Sequence, residues 1–246
     1  MRPRRGVRRG GGRLLDVEYL TGADGRRLVA FGYWAGYAGA SLGLLAARGA
    51  IEAPLSPMSK DALDDRLRSS TPAADEAALV VGARGRSGRG AVDALAVGGI
   101  TATTWDRAET DPIDRDRLRA HTLLVNCVAV STPREPFVTA ADLDAPGSRL
   151  AVLTDVTCDV TSDLNLLPVN TSTTSWEEPV RTLRDGERTV QVVAIDNLPS
   201  LLPAEASATF SHDLLPQLLG LDAMTAPWQH ALEVFDTTSA AVLGPA

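Results

Sequence analysis

The chain has 246 residues, of which 44% are hydrophobic, 22% charged and only 4% aromatic. That composition suits one large folded domain or two small ones and excludes a collagen-like repeat or a wholly disordered chain. The net charge is −7, and residues 1–13 hold six arginines and no acid; subtracting those six leaves −13 for the remainder, so nothing recommends nucleic acid or an anionic membrane as partner.

Residues 1–13, MRPRRGVRRGGGR, offer nothing to bury and read as a disordered basic leader. Leu14–Leu20 and Arg27–Phe31 then read as two short strands around the polar turn Thr21-Gly22-Ala23-Asp24-Gly25. Residues 34–48 form a predicted apolar helix ending at Gly49, with small residues at Gly36, Gly39 and Gly43 that suit close backbone packing. Ser59 is the expected N-cap of a short polar helix reaching about Arg68, and a domain boundary is expected near the linker Ser69-Ser70-Thr71-Pro72.

From Ala77 the pattern changes. Short apolar strands, AALVVG, ITATTW, HTLLVNCVAV, RLAVLTDV and RTVQVVAID, alternate with glycine turns or amphipathic stretches, which argues for a mainly parallel α/β sheet. Two helical stretches follow, beginning near Pro203 and Ala226, and Pro216 is expected to kink or split the first. Cys127 and Cys158 are too few for a disulfide framework and sit in strand-like runs, as small buried hydrophobes do in a reducing compartment. No run reaches the ~18 apolar residues of a membrane span, and the basic start lacks the apolar stretch of a secretory signal, so a cytoplasmic protein is expected.

The most informative segment is a buried strand followed by Gly82-x-x-Gly85-x-x-Gly88, then Gly90 and an apolar-periodic helix ending at Gly98-Gly99. A dinucleotide loop needs small residues so that the chain turns tightly, brings bare N–H groups to a pyrophosphate, and packs its helix close to the sheet. The first glycine step here is one residue longer than in the usual fingerprint. Asp106, 24 residues after Gly82 at the end of ITATTW, stands where a carboxylate accepts the ribose hydroxyls, which favours NAD over NADP. Two alternatives stay open: a glycine-rich turn that binds no nucleotide, and an Arg107 that meets a 2′-phosphate.

The segments GARGRSGRGAVDAL, WDRAET, VNCVAVSTPREPFVT, DVTCDVTSDLNLLPV and AIDNLPSLLPAEASATFSHDLLPQL together resemble the NAD-dependent, L-lysine-forming saccharopine dehydrogenases, from about Leu14 to Phe235. The resemblance implies an α/β fold with two Rossmann-like lobes and a cleft, as in alanine dehydrogenase and transhydrogenase. Residues 14–76 would then be the remainder of an N-terminal substrate lobe with its linker, 77–202 the NAD-binding Rossmann domain, and 203–246 C-terminal helices returning to the first lobe. It implies oxidation of the secondary amine of saccharopine by NAD, with hydrolysis of the imine to lysine and 2-oxoglutarate. It further implies that Arg26 meets the dinucleotide and Arg27 and Phe31 the substrate, guanidinium being suited to a carboxylate. Gly85 and Arg86 would run along the pyrophosphate, and Asp106 and Thr110 would hold the adenosine ribose. Val156 would touch the cofactor; Thr157, Cys158 and Asp159 would face the substrate; Ile195, Asp196, Asn197 and Leu198 would close over the nicotinamide.

The sequence departs from that family at three places. Ser87 stands where many relatives have a cysteine able to pair with the one matching Cys127, and Asn197 replaces a usual histidine. The family's first lobe also begins about 100 residues before the match to Leu14, and that segment carries its catalytic lysine and histidine, a general base and acid. No residue here is assigned their role: Lys60, the sole lysine, reads as a solvated side chain, and His121, His212 and His230 as packed or surface residues. Asp155, Asp159 and Asp163 follow a strand without an EF-hand pattern, and no metal is expected. A truncated dehydrogenase, inactive alone, is therefore expected, or else an NAD-binding remnant or subunit that needs a partner lobe or associates with itself.

Overall fold

The computed structural model describes residues 12–186 and 188–243, so the expectation for the basic leader lies largely outside the described residues. Two compact units are formed, one from the residues up to Phe31 together with Ser207 onward, the other from Gly32–Ala206.

In the first unit the two expected strands do not form. Asp16 caps a single 3-10 turn, Val17–Tyr19, its carboxylate accepting the Glu18 N–H at 3.0 Å. This local bond offers the backbone an alternative to a ladder. What remains of the hairpin is the Thr21–Arg27 bridge and the bond from the Leu28 N–H to the Leu20 carbonyl at 2.7 Å. Leu20 and Val29 are buried with Trp228 and Ala231, and the Trp228 indole donates to the Gln217 carbonyl at 2.7 Å. Trp228 lies on helix α7 (Ala226–Leu243) and Gln217 on α6 (Pro203–Leu219), whose first residues belong to the other unit. α6 is not split at Pro216; it continues to Leu219.

The second unit is built on six strands: β1 (Ala78–Val81), β2 (Thr103–Trp105), β3 (Leu123–Asn126), β4 (Val152–Asp155), β5 (Arg181–Arg184) and β6 (Val190–Val193). Their order is β2-β1-β3-β4-β6-β5, with every pair parallel except β5 against β6. Because side chains alternate along a strand, Ala78 and Val80 join one apolar cluster and Leu79 and Val81 the other; Leu123 and Val125 divide from Leu124 in the same way. Both faces are covered, as parallel sheets require. The five strands read from the sequence are the parallel ones, and β5 is an addition. Its hairpin partner follows Asp185-Gly186, a turn signal that was present in the sequence.

Helices α1 (Gly32–Ala47), α2 (Lys60–Ser69) and α3 (Arg86–Val97) pack in this unit, with α4 (Arg115–Arg119) and α5 (Ala140–Asp144) shorter. Of residues 14–76, expected as the remainder of a substrate lobe with its linker, 14–31 lie in the first unit, and α1 and α2 lie in the same unit as the sheet. The glycines of α1 explain its place. A Cβ on Gly36 would stand 1.8 Å from the Ser87 carbonyl oxygen, and one on Gly43 would stand 2.1 Å from Thr154 Oγ1, so α1 lies directly on α3 and on β4. Ser59 caps α2 as expected, accepting the Ala62 N–H at 3.3 Å.

Candidate functional site

All five parallel strands end on one edge, and the chain leaves β1 for β2 on one side and later returns to β3 on the other. Open α/β sheets bind ligands at the carboxyl ends of strands, at such a reversal. A cavity of about 640 Å³ lies there, lined by Gly82 after β1, Asp106, Arg107 and Thr110 after β2, and Cys127 and Val128 after β3. Gly85 completes the lining on the glycine loop.

The loop has the geometry its spacing called for. Gly82 holds φ of +84°, which side chains rarely adopt, and its N–H donates to the Trp105 carbonyl at 2.7 Å. A Cβ on Gly88 would lie 2.1 Å from the Gly82 carbonyl oxygen and 2.5 Å from the Ala83 Cα, so the first turn of α3 is pressed onto the loop. Gly85 is the N-cap and supplies no side chain to the helix end, which leaves first-turn N–H groups for an anion. The longer first glycine step holds Ala83 and Arg84, and the Gly85 N–H closes it onto the Gly82 carbonyl at 3.0 Å.

Asp106 is held from three directions. Its Oδ1 accepts the Arg84 N–H at 3.2 Å, its Oδ2 stands 3.4 Å from Arg84 Nε, and its own N–H donates to Glu109 at 2.8 Å. Its side chain is 24% exposed, open to a ribose on the cavity side. Thr110 is buried; its hydroxyl donates to the Asp106 carbonyl at 2.9 Å, and Arg134 donates to the Thr110 carbonyl at 2.7 Å. These donor and acceptor groups, with a glycine cradle between them, fit a dinucleotide.

Further along the same edge, β4 ends at Asp155, which is 1% exposed. Its Oδ1 accepts the Asn126 amide at 3.2 Å, the Thr157 N–H at 3.2 Å and the Thr157 hydroxyl at 2.7 Å. Cys158 is held at φ +50°, its Sγ lying 3.2 Å from the Asp155 carbonyl oxygen and 3.3 Å from that of Ile195, the two acceptors within reach of its single S–H. Burial, then the Asp155 and Asp196 carboxylates, push the Cys158 thiol up to about 12; burial and Asp155 raise Cys127 further still. Neither thiol is activated for nucleophilic chemistry. Val156 and Leu198 both approach Gly39 of α1, Asp159 is half-buried, and Asp196 is exposed. Asn197 sits at φ +60° with its amide donating to Ser200 Oγ at 2.7 Å.

The structure therefore brings Gly85, Asp106 and Thr110 to one cavity, and Val156, Thr157, Cys158, Ile195 and Leu198 to the next strand ends. Arg86 opens α3. Arg26, Arg27 and Phe31 belong to the first unit, where Arg26 lies 3.7 Å from Asp24, Arg27 3.3 Å from Glu18, and Phe31 stacks on Phe210 at 4.4 Å. Sequence reasoning missed Asn126, Asp155 and Arg84. The Asp-x-Thr spacing of Asp155 and Thr157 was a legible sign of a side-chain turn, whereas the pairing of Arg84 with Asp106 joins residues 22 apart and had no local signature.

Lys60 is not free: its ammonium lies 2.6 Å from Asp64 Oδ2 and 5.0 Å from the centre of the Tyr37 ring. His121 Nδ1 lies 2.9 Å from the Arg117 carbonyl, and His212 and His230 are exposed. Among the described residues, no cluster of His, Cys, Asp and Glu is arranged to hold a metal, and no helix is long and apolar enough to cross a membrane.

No family model matches the chain. Among curated proteins, it is 39% identical to a saccharopine dehydrogenase (NAD+, L-lysine-forming) from Neurospora crassa, over 93% of this chain and 67% of that protein. The enzymes of the same name from Emericella nidulans and Candida glabrata are 37% and 34% identical, each covered over 68% of its length. Among solved structures, an L-alanine dehydrogenase superposes with a TM-score of 0.54 at 17% identity, over 90% of this chain and 62% of that one, and so shares the fold. The chain spans about two thirds of the length of its curated relatives, and at this identity it belongs to the saccharopine dehydrogenase family of NAD-dependent, L-lysine-forming oxidoreductases.

Proposed function

We propose that the second unit binds NAD at the glycine loop and that the chain serves a saccharopine dehydrogenase: saccharopine, NAD+ and water give L-lysine, 2-oxoglutarate, NADH and a proton. The observation that carries this reading is the single cavity joining Gly82, Gly85, Asp106 and Thr110 at the reversal of strand order. Bound NAD+ supplies the hydride acceptor. Gly85 and Arg86 bind along the pyrophosphate, while Asp106 accepts from the adenosine ribose with Thr110 bracing the turn. Val156, Ile195, Asp196, Asn197 and Leu198 position the nicotinamide end, and Thr157, Cys158 and Asp159 orient the substrate, Asp155 fixing that turn from below. The roles of Arg26 toward the dinucleotide and of Arg27 and Phe31 toward the substrate rest on family resemblance alone.

Among the described residues Lys60 is ion-paired with Asp64, His121 meets the Arg117 carbonyl, and His212 and His230 are exposed, so none of these four is assigned as general acid or base. These 246 residues accordingly bind NADH without turning over saccharopine, and catalysis needs a general acid and base from outside them. A cytoplasmic setting agrees with two free, half-buried thiols. The test is NADH fluorescence titration of the purified chain alongside a saccharopine oxidation assay. Saturable NADH binding with no turnover is expected. Failure to bind at millimolar NADH would overturn the glycine-loop reading, and turnover proportional to protein that survives repurification would overturn the requirement for an outside acid and base.

A further inference from the structure

We infer that Arg134 forms the wall against which the adenine of the dinucleotide rests, and that it ties together the two loops that hold the base. The inference rests on reading the glycine loop as a dinucleotide site. Three stretches of chain line the cavity of about 640 Å³: the glycine loop after β1, residues 106–111 after β2, and residues 127–135 after β3. Because β2 and β3 flank β1, the second and third stretches leave the sheet on either side of the first, where the strand order reverses. Arg134 spans the gap between them. Its Nη2 donates to the Thr110 carbonyl at 2.7 Å and to the Thr110 hydroxyl at 3.3 Å. That hydroxyl donates in turn to the Asp106 carbonyl at 2.9 Å, so Arg134 reaches the ribose-holding residue through one intervening side chain.

The guanidinium is also placed to meet a ligand. Its Cζ lies 5.5 Å from the centre of the Phe137 ring, which is 1% exposed and belongs to one of the two apolar clusters of the sheet. One side of the group is thus closed by the core, while Arg134 still lines the cavity, so the side turned from Phe137 is the one a ligand meets. A ribose accepted by Asp106 carries a phosphate at one carbon and its base at another. The phosphates are claimed by the N–H groups of the glycine loop and the start of α3, which leaves the base for the third wall, where Val128, Val130 and Arg134 stand. Two half-buried valines and a planar cation suit a flat purine, since bases stack on guanidinium planes as they do on aromatic rings. An uncharged base is not repelled by the carboxylates of the same cavity, Asp106, Asp111 and Glu135, of which Glu135 pairs with Arg115 at 2.5 Å.

The test displaces NADH from the full chain, followed by nucleotide fluorescence, with AMP, which carries the adenine, and separately with nicotinamide mononucleotide, which does not. Arg134→Ala should weaken NADH and AMP about tenfold, ~1.4 kcal/mol, and leave nicotinamide mononucleotide within about twofold. Arg134→Lys keeps a charged donor for Thr110 but offers no plane to stack on. It should remain folded by circular dichroism and still lose most of the affinity for AMP, and it decides the question if the alanine variant does not fold. An AMP affinity that neither variant moves, full recovery by lysine, or an equal loss for nicotinamide mononucleotide would overturn the role of Arg134. A native chain that binds neither NADH nor AMP would instead overturn the underlying dinucleotide site.

Discussion

The Ser87 carbonyl oxygen occupies the space that a side chain on Gly36 would need, 1.8 Å from the position of its Cβ. This is contact between backbone and backbone, so neither partner can rotate away as a side chain could. It fixes α1 against the first turn of α3, which is the turn that ends the glycine loop. Gly36→Ala should therefore cost about 3 kcal/mol, the upper part of the range for overpacking, and should weaken NADH binding as well. Urea denaturation and NADH titration of the variant check both; an unchanged midpoint would show that α1 is not seated there.

Asp106→Ala should weaken NADH about tenfold or more, because a ribose would lose its charged acceptor. The companion change Arg84→Ala removes the exposed guanidinium but leaves a backbone N–H for Asp106, and should alter NADH affinity by less than about threefold. Parallel titrations compare them, and equal losses in the two variants would contradict the ribose assignment.

The clamp under this unit is Arg48, whose side chain is 2% exposed and pairs with Glu76, itself 10% exposed, at 2.7 Å. The same guanidinium donates to the Ser70 hydroxyl and to the carbonyls of Leu67 and Gly98, tying α1, α2 and the end of α3 together. Arg48→Ala would leave a buried carboxylate unpaired and should destabilise by about 3–5 kcal/mol. Urea denaturation of the variant, with far-ultraviolet circular dichroism for its helix content, measures it.

Acid should unfold this unit through Glu76 and Asp64. Burial alone would raise both carboxyls, but hydrogen bonds from Arg48 to the first and from Lys60 and Tyr37 to the second hold them below their ordinary values. A depressed folded-state value means that stability is fully present above the unfolded value, about 4.3 for Glu and 3.9 for Asp, and is lost as pH falls through the folded value. The urea midpoint should thus drop below about pH 4 and be flat above about pH 5 as far as these two groups contribute. Glu76→Gln should shrink that drop, and a drop of the same size in the variant would assign the acid sensitivity elsewhere.

Asp155→Ala removes one buried oxygen that accepts from the Asn126 amide and from both donors of Thr157. Stranding these donors should cost about 3 kcal/mol and release Cys158 from its left-handed backbone. Asp155→Asn keeps an oxygen acceptor in place and should retain most of the stability. The Cys158 thiol, raised to about 12 in the native chain, should react slowly with a thiol reagent at pH 8 and much faster in the alanine variant. Equal labelling rates in the two would show that Asp155 does not hold the turn.

The sequence by itself determined the elements whose cause is local. Strand periodicity marked the five parallel strands, Ser59 marked its helix, and glycine spacing marked a strand, turn and helix built for close approach. One local cause overrode another where Asp16 diverted the first expected strand into a 3-10 turn, and α6 runs unsplit through Pro216. β5 was legible in Asp185-Gly186 but was passed over because its strand, Arg181–Arg184, is polar on the exposed positions of an edge. Only the tertiary structure decided that α1 lies on the glycine-loop helix, that Arg84 holds Asp106, and that Asn126 meets Asp155 and Cys158 meets the Ile195 carbonyl. Each of these relations joins distant chain segments through packing or a hydrogen bond. Periodicity and spacing report which face of an element is apolar, while the partner that meets that face is chosen by the fold as a whole.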